Sequence, residues 1–129
     1  MKKIERLALD EYIGIVKGNK VERKVVGWCS KYIEVKQMLS VDEYINVIRR
    51  IFADCRTPDS ENMVQLELID FAIKTNIISA YANIELPENL DDLYYIVYGT
   101  DLYEKVCANV NEKQVESIIS SVKLCVTGS

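Results

Sequence analysis

The chain predicts a mainly α fold of about five helices, one of them long and central, with a small N-terminal β-hairpin, in a single domain covering residues 1–129. Three stretches carry this. From about Asn62 to Ala82, Met63, Leu66, Ile69, Phe71, Ala72, Ile73, Ile77, Ile78 and Tyr81 cover well over half of a helix's circumference, which marks a helix packed on more than one side. "SVDEYINVIRRIFADC" has Ser40 in N-cap position and Glu43 three residues on, the capping-box pattern. "VERKVVGWCSKYIEVKQML" is rich in β-branched and aromatic residues, with polar residues alternating around Glu34 and Lys36.

Taken in order, "IERLALDEYIGIVKG" places Ile4, Leu7, Tyr12, Ile13 and Val16 on a short helical stripe that ends near Gly18-Asn19; an extended arm is the other reading. The hairpin follows, with strands at about Glu22–Trp28 and Tyr32–Gln37 and "CSK" turning between them. A hairpin alone is marginal in water, so it must pack on the helices or pair with another chain. After Ser40, the residues Val41, Tyr44, Ile45, Ile48, Ile51 and Phe52 form one helical face, with Leu39 placed to staple onto Tyr44. Arg49 and Arg50 lie toward the C-terminal end, where cations suit the helix dipole.

"RTPDSEN" reads as a loop before the long helix, and Pro87 in "NIELPEN" breaks the chain after it. Three short helices complete the sequence, at about Leu90–Tyr98, Asp101–Ala108 and Glu112–Leu124. Thr100 and Asn111 are suitable N-caps, and Asp91, Asp92 and Asp101 stand in first turns. Residues 22–37 are thus the hairpin and 40–126 the helical bundle.

Composition narrows the function. The chain is 49% hydrophobic and 28% charged, as in an ordinary globular domain. No apolar run approaches the ~18 residues of a membrane span, and Arg6, Asp10 and Glu11 interrupt what would be the core of a signal peptide. These features place the chain in a cytoplasm, off the membrane. Cys29, Cys55, Cys107 and Cys125 stand far apart with no C-x-x-C pair, so they read as small, mostly buried thiols; two disulfides are the other reading.

The chain has no histidine, which removes Ser-His-Asp and Cys-His catalysis and the usual neutral-pH base. The net charge of −4 argues against general nucleic-acid binding. That charge is uneven. Residues 1–36 carry nine basic and five acidic residues, and the remainder seven basic and fifteen acidic. This reads either as solvated faces or as a bipolar molecule whose basic end meets the acidic end of a neighbouring copy.

Neither G-x-x-x-x-G-K nor G-x-G-x-x-G occurs, and no calcium loop. The pairs Asp10-Glu11, Asp42-Glu43 and Asp91-Asp92 are adjacent, so on a helix they point apart and serve caps and solvation rather than acid–base work. No catalytic residue, cofactor site or metal site is assigned. Arg49-Arg50 reads as a solvated helix end or, alternatively, a grip for an anion. What stands out is aromatic: Tyr94, Tyr95, Tyr98 and Tyr103 are half of the eight tyrosines within ten residues. They cannot all face one way on helices, so one or two must reach the surface, where tyrosine favours interfaces. Trp28 on the hairpin is either buried against the helices or an anchor for a partner. The candidate interface residues are therefore Trp28, Tyr32, Tyr94, Tyr95, Tyr98 and Tyr103.

The order "VVGW…YIEVKQMLSVDEY", "SAYANIELPENLDDLYYIVYGTDLYEKV" and "VNEKQVESIISSV" resembles small proteins from the structural gene clusters of tailed bacteriophages and prophages. The likeness lies in Trp28–Tyr44 and Tyr81–Val122, about half the chain, and it is one of sequence style rather than of site motif. It implies a non-enzymatic role in virion assembly, as a head–tail connector or neck component or as a tail assembly chaperone. The implied partners are other phage structural proteins, the chain itself as a homo-oligomer, or both; the implied setting is the host cytoplasm during assembly, and the virion if the protein is retained. No functional residue carries over. The alternatives are a cytoplasmic adaptor or inhibitor that binds one host protein, and a small enzyme using carboxylates or Cys29.

Overall fold

The computed structural model describes residues 10, 13, 23–57, 60–64 and 66–127. Of the first predicted segment, Asp10 and Ile13 are helical and the rest lies outside the described residues. The hairpin forms where alternation placed it: β1 (Arg23–Trp28) pairs antiparallel with β2 (Lys31–Lys36), with Trp28 opposite Lys31 and Arg23 opposite Lys36. Its turn is only Cys29-Ser30, both at positive φ (49° and 63°), and Lys31 already belongs to the strand. Positive φ at both central residues is the turn geometry whose twist matches paired strands.

Val35, the inward residue of β2, is fully buried. It also bridges Ala82, and the Asn83 N–H donates to the Glu34 carbonyl at 2.9 Å. The hairpin is thereby tied to the end of the long helix. Among the described residues no strand pairs with the outer edge of β1.

The capping box forms as read. In α1 (Val41–Cys55) the Glu43 N–H donates to Ser40 Oγ at 3.2 Å, and the Ser40 N–H donates to Glu43 Oε1 at 3.0 Å. The buried stripe is shifted from the expected face: Ile51 is buried and Tyr44, Ile48 and Phe52 pack against the core as expected, Val47 and Cys55 are buried beside them, and Val41 and Ile45 are exposed. Packing against the next long helix selects the 47/51/55 line, because that line faces it. The helix runs to Cys55, so Arg49 and Arg50 fall short of its last turn and the expected dipole pairing is not made there.

The segment read as a loop is instead a second small hairpin: β3 (Arg56–Thr57) pairs antiparallel with β4 (Ser60–Val64), with a bulge at Arg56/Thr57. Residues 40–126 are therefore a helical bundle interrupted by this ribbon. The long helix, α2 (Leu66–Tyr81), starts at Leu66 rather than Asn62, since residues 60–64 give their backbone groups to the strand pair. It is central as expected: it contacts α1 and all three helices that follow. Ala72, Ile73, Ile77, Ile78 and Tyr81 are buried on it.

The last three helices are α3 (Leu90–Gly99), α4 (Leu102–Cys107) and α5 (Glu112–Thr127). Asn111 caps α5, its Oδ1 accepting from the Gln114 N–H at 2.9 Å. Asn89 caps α3 through the Asp92 N–H at 3.0 Å. Thr100, expected to cap α4, instead closes α3: its hydroxyl donates to the Ile96 carbonyl and accepts from the Leu102 N–H. Asp101 occupies the N-cap position of α4 without a side-chain cap. Leu102, Val106, Val115, Ile118 and Val122 complete one contiguous core. Among the described residues no helix is long and apolar enough to cross a membrane.

Candidate protein interface

The tyrosines of α3 fall where helical spacing separates them from the core. Val97 is the buried residue of this helix. Leu90 and Tyr94 lie one turn apart, as do Asp91 and Tyr95, so they form two neighbouring rows. Leu90 is 68% exposed, Tyr95 66% and Tyr94 58%.

Tyr98, the next turn along, is more firmly held. Its hydroxyl donates to Asp70 Oδ2 at 2.6 Å, and its ring stacks on Phe71 of α2 at 6.1 Å between centroids. Tyr94 meets Tyr98 at 4.8 Å and Phe71 at 5.9 Å. The result is a three-ring cluster with one side open. Gly99 lets the Tyr95 ring lie close to the backbone, since a Cβ there would stand 2.9 Å from two ring carbons.

Charge organises the underside of this ridge. The Lys74 ammonium lies 4.9 Å from the Tyr98 ring centroid, 5.4 Å from that of Tyr103, and 3.2 Å from Asp70. Cation–ring attraction and an ion pair thus hold one lysine among two tyrosines. Burial and the hydrogen bond to Asp70 push the Tyr98 phenol well above its ordinary range. Burial alone would raise the Asp70 carboxyl, but hydrogen bonds from Tyr98 and Lys74 outweigh it and hold the group below its usual value.

Tyr103 is placed differently from the other three. It is partly buried against the core, and burial together with neighbouring Cys107 raises its phenol. It props Lys74 rather than the outer ridge.

On the hairpin, Trp28 and Tyr32 part company. Trp28 is partly buried against the core and its indole N–H donates to Asp101 Oδ1 at 2.9 Å, which ties the hairpin tip to the start of α4. Tyr32, opposite Gly27, is 81% exposed, and Val25 is 71% exposed. A shallow groove of about 440 Å³ runs between tip and helix, lined by Trp28, Lys31, Tyr32, Asp101 and Lys105. A second, of about 240 Å³, lies between α1 and α2 and brings Arg50 beside Glu43, Asn46 and Asn76; Arg49 does not line it.

The structure thus gathers Tyr94, Tyr95 and Tyr98 on one ridge and leaves Trp28 and Tyr32 on the hairpin. Leu90, Phe71 and Val25 join these surfaces although the sequence did not single them out. For Leu90 the signal was its i,i+4 spacing to Tyr94. Phe71 gave none, because only the tertiary contact of α2 with α3 brings it there.

Among the described residues no group of three or more cysteine, aspartate or glutamate side chains is placed to hold a metal ion. All four cysteines are free thiols, Cys29 and Cys125 exposed and Cys55 buried. No family model matches the chain, and no curated protein or solved structure is significantly similar to it.

Proposed function

We propose that this chain works through protein–protein contacts, without catalysis, as an assembly or structural component of a tailed bacteriophage or prophage, at the head–tail neck or in tail assembly. The observation that carries the contact reading is the α3 ridge, where Leu90, Tyr94 and Tyr95 present more than half of their surface beside Tyr98. Tyrosine offers large apolar area with a polar tip and little rotamer freedom to lose, which suits an interface. Two acidic groups near it are engaged structurally: Asp70 by Tyr98 and Lys74, and Asp101 by Trp28. The virion setting rests on the resemblance of Trp28–Tyr44 and Tyr81–Val122 to small phage structural proteins. The site of action is then the host cytoplasm while particles are built.

The test is capture of tagged protein from host cells in which the phage cycle has been induced, together with immunoblots of purified particles and assembly intermediates. The expected result is enrichment of neck or tail proteins, lost in a folded Tyr94→Ala/Tyr95→Ala variant. Recovery of one host protein, with no virion component, would replace this reading with that of an adaptor or inhibitor.

A further inference from the structure

We infer that the α3 ridge takes a basic, amphipathic helix of a different protein, with arginine or lysine seated over its open tyrosine rings and apolar side chains packed beside them. This deepens the proposed function and rests on its contact reading, naming the chemistry of the partner.

The molecule already holds one example of this recognition. Beneath the ridge, the Lys74 ammonium stands 4.9 Å from the Tyr98 ring centroid, 5.4 Å from that of Tyr103 and 3.2 Å from Asp70. Ring faces and carboxylate attract the same charge, so the three hold one cation together. The outer side of α3 repeats these ingredients. Asp91 and Asp92 precede Tyr95 by i,i+4 and i,i+3 spacing, and Asp91 precedes Tyr94 by i,i+3, so each carboxylate neighbours an exposed ring on the helix surface. Among the described residues no cation lies over the Tyr94 or Tyr95 ring, and neither aspartate makes an ion pair.

Charge around the ridge sets the sign of the partner. From Ala82 to Glu104 the chain has six acidic residues and no basic one. Glu85 and Glu88, like Asp91 and Asp92, are exposed and make no ion pair among the described residues. Such a rim repels nucleic-acid phosphates and anionic lipid headgroups, and it attracts arginine and lysine. Shape points to a helix. Leu90, Tyr94 and Tyr98 follow one another at i,i+4 spacing, and a row of that kind packs between the side-chain rows of a second helix.

The hairpin of a second copy does not meet this description. Lys24 pairs with Val35 and Lys31 with Trp28, so both lysines lie on the side of the hairpin that faces the bundle. On the opposite side, beside the exposed Val25 and Tyr32, Arg23 is engaged by Glu34 and Lys36 by Glu43. A second α3 ridge brings only like charge. The occupant that fits is a segment of another protein.

The experiment titrates two synthetic amphipathic helical peptides into the purified chain, followed by calorimetry and by amide NMR shifts. Both carry leucine along one face; one bears arginine on the other face and its counterpart bears glutamate. The arginine peptide should bind, shift the amides of Leu90–Gly99 most, and weaken as sodium chloride rises, because exposed charges are screened within about 10 Å at ordinary ionic strength. The glutamate peptide should not bind. Asp91→Asn/Asp92→Asn and Tyr94→Ala/Tyr95→Ala should each weaken the arginine peptide by about tenfold or more. Asp42→Asn/Glu116→Gln removes the same charge from α1 and α5 and should change its affinity by no more than about twofold.

Far-UV circular dichroism establishes that the variants are folded, and Tyr95→Ala alone takes the place of the double tyrosine variant if that one is not. An arginine peptide that fails to bind, that shifts amides elsewhere, or that binds the folded α3 variants like wild type would overturn the inference. So would self-association of the wild-type chain on a sizing column that the α3 substitutions abolish, since a second copy would then be the occupant. Because only purified chain and peptide are used, failure here leaves the capture of virion proteins standing, and failure of that capture leaves the chemistry of the ridge standing.

Discussion

Tyr81 and Gln114, 33 residues apart, meet inside the molecule: the Tyr81 hydroxyl donates to Gln114 Oε1 at 2.6 Å. The same carboxamide takes the Leu39 N–H at 2.8 Å and gives its own N–H to the Leu39 carbonyl at 3.1 Å. One side chain on α5 thereby joins the end of α2 to the connection between β2 and α1. The neighbouring Asn111 N–H adds a bond to the Gln37 carbonyl at 2.7 Å. These bonds fix the hairpin and bundle as one body, which a protein that presents surfaces to partners requires.

Gln114→Ala leaves the buried Tyr81 hydroxyl and the Leu39 N–H without their partner. The expected loss is about 2–4 kcal/mol, against about 1 kcal/mol for Tyr81→Phe, which removes the donor together with its need for a partner. Guanidinium unfolding of the two variants checks the order; equal losses would show that the bridge does not act as described.

The hairpin turn can be improved. Cys29 and Ser30 both sit at positive φ, which a β-carbon disfavours and which Asn-Gly adopts readily. Cys29→Asn/Ser30→Gly should raise stability by about 1 kcal/mol without changing register. Thermal unfolding and hydrogen exchange of the β1 and β2 amides are the measurements, and a destabilised double variant would contradict the turn geometry.

Trp28 is the sole tryptophan, so its emission reports on the hairpin tip. Asp101→Ala removes the acceptor of its indole N–H, and the tip should loosen from α4. A red shift in emission and faster quenching by acrylamide are expected, with a stability loss of about 1 kcal/mol. Unchanged quenching would mean that packing, rather than the hydrogen bond, holds the ring.

Glu43 links stability to pH. Its carboxylate accepts from Lys36 at 2.7 Å and from the Ser40 N–H at 3.0 Å, and the Lys36 bond, with Ser40, lowers its pKa from 4.5 to about 2. A depressed folded pKa means that the unfolded chain binds the proton first. The contribution is therefore present above about pH 4.5 and is lost as pH falls toward about 2. Since the side chain is 41% exposed, solvent screening keeps it to about 1 kcal/mol. Urea midpoints from pH 6 down to about pH 3 should fall less steeply for Glu43→Gln than for wild type.

The thiols should divide by environment. Burial raises the Cys55 and Cys107 thiols, whereas Cys29 and Cys125 are exposed. A disulfide reagent should modify Cys29 and Cys125 quickly in the native protein and the other two only on unfolding or slow opening. Rapid reaction of all four would contradict the packing around Cys55.

How much of this was legible in the sequence follows from the range of the interactions involved. The Ser40–Glu43 box, the Asn111 cap and the β1–β2 hairpin all join residues close in the chain, so their side-chain chemistry declares them. Mean apolar pattern likewise identified α2 as the central helix. The second hairpin escaped because Met63 and Leu66 fit a helical spacing, and only the backbone pairing of residues 60–64 with 56–57 excluded it.

The tertiary structure alone decided that Val47 and Cys55 of α1 join Ile51 in the core while Val41 and Ile45 stay exposed. It also decided which aromatic residues remain outside. Residue type nominated Tyr94, Tyr95, Tyr98 and Tyr103 alike; the contact of α3 with α2 put Phe71 beneath Tyr98 and left Tyr95 open, while the packing of α4 drew Tyr103 inward. Trp28 with Asp101 and Leu39 with Gln114 lie 73 and 75 residues apart, and no local pattern encodes such pairs. Propensity and capping act within a turn or two of chain and can be read there, whereas burial is settled only when whole faces compete for one core.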